Sequence, residues 1–269
     1  MVMAQRAQSE NTATSMELRD LLLALDDGTG AEGNRRVARL LARADLLVDA
    51  LCDSTLSREQ MLKLARQAVA ISPGVKYKLT SALCMDAGRD ENAMVRVIDV
   101  LGELFEGAIP PAIRRLGLNG PGRLRAKAAL TVSRTERSLE WAEQALNDPD
   151  DRVRANAVEA IAALKNERGR ALLEKAATDP HRRVQANALL ALHKLGAPEA
   201  EKKLLDLSAN RSPYSRSAAA WAMGKTRDPV FGEALGWMLG DPDARVRKHA
   251  FQSIKAIKSS QGAGEPRTP

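Results

Sequence analysis

Val153-Arg154-Ala155-Asn156-Ala157-Val158-Glu159-Ala160-Ile161 decides the fold of this chain, because related versions of it begin at Leu124, Val184, Ser215 and Val246. The five starts are separated by 29, 31, 31 and 31 positions. That period is the length of a helical hairpin. A hairpin of this size cannot bury its apolar face alone, so the copies must stack into an α/α superhelical solenoid with a continuous core and a long exposed groove. Within the copies the apolar residues fall at offsets 0, +4, +8 and +11 from the first position. They are Val153, Ala157, Ile161 and Leu164, then Val184, Ala188, Leu192 and Leu195, then Val246, Ala250, Ile254 and Ile257. This is one face of a helix, and the small residue at +4 lets a partner helix approach closely.

Working outward, the spacing predicts first helices at about 136–147, 167–178, 197–209 and 229–239, alternating with second helices at 152–164, 183–195, 214–226 and 245–257. Earlier helical patterns run at about 16–26, 34–52, 57–71, 75–87, 91–107 and 122–134, which makes about six or seven hairpins in all. The expected organisation is a disordered N-terminus over 1–15 and degenerate helical repeats over 16–107. An irregular junction follows at 108–121, then regular repeats over 122–258 and a disordered tail over 259–269. Gly28, Gly30 and Gly33 end the first helix, Ser72-Pro73-Gly74 divides a later pair, and Ile109-Pro110-Pro111 with Asn119-Gly120-Pro121 marks the least regular junction, the place for a bend or domain boundary if the chain has one.

Composition agrees with helices. Aromatic residues make up only 3% of the chain, which starves any sheet of the residues that strands prefer. No apolar run approaches the roughly 20 residues of a membrane span, and no secretory signal stands at the start, so a cytoplasmic protein without membrane contact is expected. Cys52 and Cys84 form no C-x-x-C motif and are expected as two buried thiols. Residues 122–269 carry 26 Lys and Arg against 18 Asp and Glu, whereas residues 1–121 carry 15 against 16, so all the net positive charge belongs to the repeat half.

An Asx residue stands six positions before the second position of each copy: Asn119 before Arg125, Asp148 before Arg154, Asp179 before Gln185, Asn210 before Arg216 and Asp241 before Arg247. An Asx side chain accepts from the backbone of a tight turn, and an Arg one turn into the next helix reaches back to that carboxylate or to the neighbouring unit's. Asp148-Pro149-Asp150-Asp151-Arg152-Val153-Arg154-Ala155-Asn156-Ala157 and Ala219-Ala220-Trp221-Ala222-Met223-Gly224 resemble HEAT repeats, and are similar to the bacterial subtype found in phycobilisome-lyase-like repeat proteins. The resemblance is strong over 136–257, fair at 119–135 and weaker at 57–87, and Gln185 interrupts its Arg column. It implies a structural ladder made by the Asp and Arg columns, a concave face lined by second helices, and protein binding as the usual role.

No catalytic group, cofactor or metal site is expected. The Asp and Arg columns recur in every unit, as structural turns do. His181, His193 and His249 lack the spacing of metal ligands on one helical face, and no nucleophile elbow, Walker loop or dinucleotide fingerprint is present. Two rows point toward the groove. Offset +6 carries Leu130, Glu159, Leu190, Trp221 and Gln252, of which Leu190 and Trp221 form an apolar patch on consecutive repeats. Trp221 can equally pack between helices. Offset +3 carries Lys127, Asn156, Asn187, Ala218 and His249, a polar row that either frames a partner or bonds between repeats. The candidate partner contacts are therefore Asn156, Asn187, Leu190, Trp221 and His249. The expected function is a non-catalytic scaffold or adaptor for a protein partner. Nucleic-acid binding along the basic helix starts is the alternative, and the lyase activity of phycobilin attachment follows only from the resemblance.

Overall fold

The computed structural model describes residues 15–20, 37–41, 44–85, 90–105 and 109–262. Among these residues there are helices and turns and no strand. Short helical segments at 15–20 and 37–40 precede α1 (Ala44–Cys52), α2 (Arg58–Ile71), α3 (Val75–Met85), α4 (Glu91–Gly102), α5 (Pro111–Asn119) and α6 (Gly122–Thr135). The series continues with α7 (Leu139–Ala145), α8 (Asp151–Leu164), α9 (Glu167–Ala176), α10 (Arg182–Lys194), α11 (Pro198–Ser208) and α12 (Pro213–Thr226). A 3-10 turn (Pro229–Phe231), α13 (Gly232–Met238) and α14 (Ala244–Gly262) complete it.

The chain forms two compact units, Met1–Ser138 and Leu139–Pro269. In the first, α4 packs on α6, α3 on α5 and α5 on α6. Ser57 and Gln60 form a reciprocal cap at the start of α2, and Asp90 caps α4 through the Ala93 N–H at 2.8 Å. Asp99 of α4 binds both Arg58 of α2 and Lys127 of α6. Burial pushes the Asp99 carboxyl up, and hydrogen bonds from Lys127 and then Arg58 outweigh that and hold it below the usual carboxylate range. The first unit runs through to Ser138. Pro111–Asn119 is itself a helix packed on α6, and the Lys127–Asp99 pair ties the first copy of the repeated phrase to the residues before it.

The second unit is a stack of hairpins, α7/α8, α9/α10, α11/α12 and α13/α14, with each second helix on the next. Val153, Ala157, Ile161, Val184, Ala188, Leu192, Val246, Ala250 and Ile257 are buried, while Leu164, Leu195 and Ile254 are half-buried. Each full burial of a Val, Leu or Ile is worth about 1.5–3 kcal/mol by area. The second helices end alike at offset +12: Lys165 (φ 49°), Gly196 (φ 74°) and Arg227 (φ 61°) all take the left-handed conformation that closes a helix. Helices α12 and α14 come close together at Gly224, where a Cβ would lie 2.7 Å from the Ser253 Cα. The last helix runs to Gly262, four residues into the stretch expected as a disordered tail. Residues 263–269 and 1–14, the glycines at 28, 30 and 33, and the Cys84 side chain lie outside the described residues. Cys52 is half-buried and not buried as expected, because it closes α1 on the side toward Arg19 and Asp53.

Candidate functional site: the second-helix groove

The turn geometry sets the register of the groove. Asp148, Asp179, Asn210 and Asp241 each accept from the backbone N–H two residues on, at Asp150 (2.8 Å), His181 (2.7 Å), Ser212 (2.9 Å) and Asp243 (2.9 Å). Arg154 then donates forward to Asp179 of the next unit with two nitrogens, at 2.8 and 3.1 Å, and backward to the Asp148 and Pro149 carbonyls. Arg216 does the same, forward to Asp241 at 2.6 and 2.8 Å and backward to the carbonyls of Asn210 and Arg211. Arg247 makes only the backward bonds, to Asp241 and Pro242, and Arg125 reaches the Gly120 carbonyl. At the interruption the next residue in register is Asn210, so where Gln185 replaces the arginine an amide also replaces the carboxylate.

These rungs leave the carboxylates charged. Burial pushes Asp179 up, and the Arg154 guanidinium with the His181 N–H more than reverses it. Asp241 is lowered chiefly by Arg216, against a smaller opposing effect of burial.

A cavity of about 950 Å³ opens on the second helices α8, α10, α12 and α14, between residues 151 and 249. Its lining includes Leu190, Trp221, Asn187 and His249. Leu190 and Trp221 are half-buried, so each offers one face to the cavity and one to its neighbours. Asn156 is also half-buried but is not among the lining residues. At offset +3 the side chains reach the preceding second helix: Asn187 Nδ2 donates to the Ala155 carbonyl at 3.5 Å, and His249 Nδ1 sits 3.2 Å from the Ser217 carbonyl. This row therefore links repeats even where it touches the cavity. His249 Nδ1 also lies 2.7 Å from Ser217 Oγ. Ser217 is inside α12, where the helix uses the backbone N–H groups. Among the described residues no group of three His, Cys, Asp or Glu is arranged to hold a metal ion.

The sequence reading missed part of the lining. Lys194 and Lys225 occupy offset +10 on consecutive repeats, and Arg152, Arg183 and Tyr214 occupy offset −1; all five are exposed and line the cavity. Tyr214 stands where its neighbouring repeats carry arginine. Its ring takes the guanidinium carbons of Arg245 and Arg182 at 4.0 and 4.7 Å from the centroid, a cation–π arrangement, and the Arg245 hydrogen bond lowers its hydroxyl pKa. The signal was available as the only break in the −1 column. The most exposed aromatic side chains, Trp237 at 78% and Phe251 at 65%, are not among the lining residues.

Hairpins stacked by Asx turns and arginine rungs define an α-helical repeat protein. Residues 139–224 match the family model for HEAT repeats. Among solved structures, YibA of Escherichia coli is 16% identical over 91% of this chain and 95% of that one, with a TM-score of 0.43. Human deoxyhypusine hydroxylase in complex with glycerol is 16% identical over 92% and 98%, with a TM-score of 0.37. A designed armadillo repeat protein is 18% identical over 89% and 99%, with a TM-score of 0.33. No curated protein matches the chain. No helix among the described residues is long and apolar enough to cross a membrane.

Proposed function

We propose that this chain is a non-catalytic scaffold, working in the cytoplasm, that holds a protein partner in the groove of its second helices. The observation that carries the reading is the pairing of Leu190 and Trp221 at one offset on consecutive repeats, each half-exposed in the same 950 Å³ cavity. Such a pair supplies the desolvated apolar contact on which protein interfaces depend. Similarity to the phycobilisome-lyase-like subtype enters only as a description of repeat type, since no lining residue is assigned to pigment chemistry. The test is a photocrosslinking side chain at Leu190, compared with one at Lys203 outside the groove, together with the Leu190→Ala, Trp221→Ala double variant. The reading expects Leu190-specific crosslinks to a protein and their loss in a double variant that keeps its helical spectrum. Unfolding of the double variant would make both residues core. A second reading, nucleic-acid binding, is favoured by the exposed cations of the lining. It expects nuclease-sensitive capture that weakens steeply with salt.

A further inference from the structure

The cations of the groove differ from those of the turns. Arg154 and Arg216 are held by Asp179 and Asp241, and Arg245 by Asp243. Arg152, Arg183, Lys194 and Lys225, all exposed in the cavity, have no carboxylate partner among the described residues. The carboxylates that line the same cavity are Asp151, 3.3 Å from His181 Nδ1, and Glu159. Carboxylates neutralise these three turn arginines, and the groove keeps a positive excess.

The placement of these cations is specific. Offsets −1, +6 and +10 are separated by seven and four residues, so they share one helical face. On α10 they are Arg183, Leu190 and Lys194, and on α12 they are Tyr214, Trp221 and Lys225. At 1.5 Å per residue the two outer rows stand about 16 Å apart along each helix, with the apolar row between them. The groove is thus a channel with an apolar floor and a cationic wall on each side. A helix is about 10 Å across, which such a channel accommodates. A cylinder of that width filling the 950 Å³ cavity is about 12 Å long, or about two turns. Stacked helices lie 8–10 Å apart, close to the rise of about 10 Å between residues i and i+7 of a docked helix. One apolar side chain of such a helix then meets Leu190 and the other meets Trp221.

We propose that the occupant of the groove is an amphipathic helix of a partner protein, with apolar residues at i and i+7 and acidic residues on both flanks. This rests on the groove being a protein-binding site. Aspartate and glutamate on the flanks pair with Arg183 and Arg152 on one wall and with Lys194 and Lys225 on the other. A duplex fits less well, because the apolar floor lies where its phosphates would meet cations, and a single strand stacking its bases on Trp221 is the competing occupant that the test below separates.

The test is a displayed library of twelve-residue helical peptides selected on the full chain. Positions i and i+7 vary between Leu and Ser, and the flanks vary between Glu and Lys. Counter-selection uses the Lys194→Glu, Lys225→Glu variant, whose substitutions lie on exposed side chains. The expected result is enrichment of acidic-flanked peptides with Leu at both positions, a loss of affinity of tenfold or more on the double variant, and recovery when the peptide flank facing that wall is changed to Lys. Enrichment of neutral or basic flanks that still requires Trp221 overturns the acidic helix and leaves the protein-binding groove standing. Equal binding of a Pro-interrupted peptide overturns the helical conformation. Absence of any Trp221-dependent peptide, with retention of a single-stranded oligonucleotide, overturns both readings.

Discussion

Replacing Asp179 with asparagine isolates one rung of the ladder, and the structure sets its size. The Asp179 Oδ1 accepts from the His181 N–H at 2.7 Å, and an asparagine oxygen keeps that bond, so the turn itself survives. What changes is the other side: an amide NH₂ replaces Oδ2 and faces the Arg154 Nε–H, which now stands 2.8 Å from a donor. Hydrogen bonds to charged groups contribute about 1.5–3 kcal/mol when well shielded, and exposed ion pairs about 0.2–1 kcal/mol. The side chains here are 16% and 11% exposed, between those limits. Arg154 also keeps its bonds to the Asp148 and Pro149 carbonyls, so no charge is stranded, and the loss is expected to be about 1–2 kcal/mol and not the 3–5 of a broken buried pair. Urea unfolding followed by far-ultraviolet circular dichroism measures it. The pH dependence has a fixed sign. Asp179 in the folded chain lies below its ordinary value of 3.8, so its contribution is complete above that value and is lost as pH falls through the folded pKa. Parent and variant should therefore converge as pH falls below about 4 and through the folded pKa of Asp179. Equal stability at neutral pH, or a difference that persists undiminished in acid, would refute the forward rung as a stabilising contact.

Three further outcomes follow from the same geometry. Introducing Gln185→Arg together with Asn210→Asp is expected to add a further rung worth about 1 kcal/mol. Each single change should contribute little, a coupling that a double-mutant cycle reads directly. Gly224→Ala is expected to destabilise by about 1–3 kcal/mol through overpacking, because the new Cβ meets the Ser253 Cα at 2.7 Å. Gly236→Ala, with nothing within 4 Å of its Cβ, should instead stabilise by about 0.5–1 kcal/mol through helix propensity; thermal unfolding of the two variants must shift in opposite directions. Gly196→Ala, at φ 74°, is expected to cost about 1 kcal/mol by the same measurement.

Much of the second unit is legible because its residues repeat. Asp148, Asp179, Asn210 and Asp241 could be read as turns from spacing alone, since an Asx turn needs only local chain. The direction of the arginines was left open: a sequence shows that Arg154 can reach a carboxylate, but whether it reaches its own unit or the next depends on the stacking. In the structure it does both, through different nitrogens. The first unit is less legible because its contacts are not periodic. The Asp99 bridge to Arg58 and Lys127 joins residues 41 and 28 positions apart, and no motif announces it. Proline and glycine at 110, 111, 120 and 121 suggested a break in the chain, yet Pro111 occupies the first turn of α5, where a missing N–H costs nothing. In the groove, Leu190 and Trp221 were visible as apolar residues at one offset of consecutive repeats. Lys194 and Lys225 were not, because lysine near a helix end is ordinary on any solvated face and only the shared cavity shows what they surround.

Charge separates the two kinds of arginine in this chain more clearly than position does. The arginines that make forward rungs are matched: Arg154 with Asp179 and Arg216 with Asp241. Where the arginine is missing at Gln185, its counterpart Asn210 is neutral as well, so the turn edge neither gains nor lacks a charge at the interruption. The groove does not follow this rule. Arg152, Arg183, Lys194 and Lys225 repeat at fixed offsets without matching carboxylates, and their mutual repulsion contributes nothing to stability. Replacing Lys194 and Lys225 with neutral glutamines should therefore leave the unfolding midpoint unchanged or slightly raised, whereas the loss of a rung lowers it. If the glutamine pair unfolds as readily as Asp179→Asn, the groove cations belong to the fold, and the positive channel is no evidence of an acidic partner.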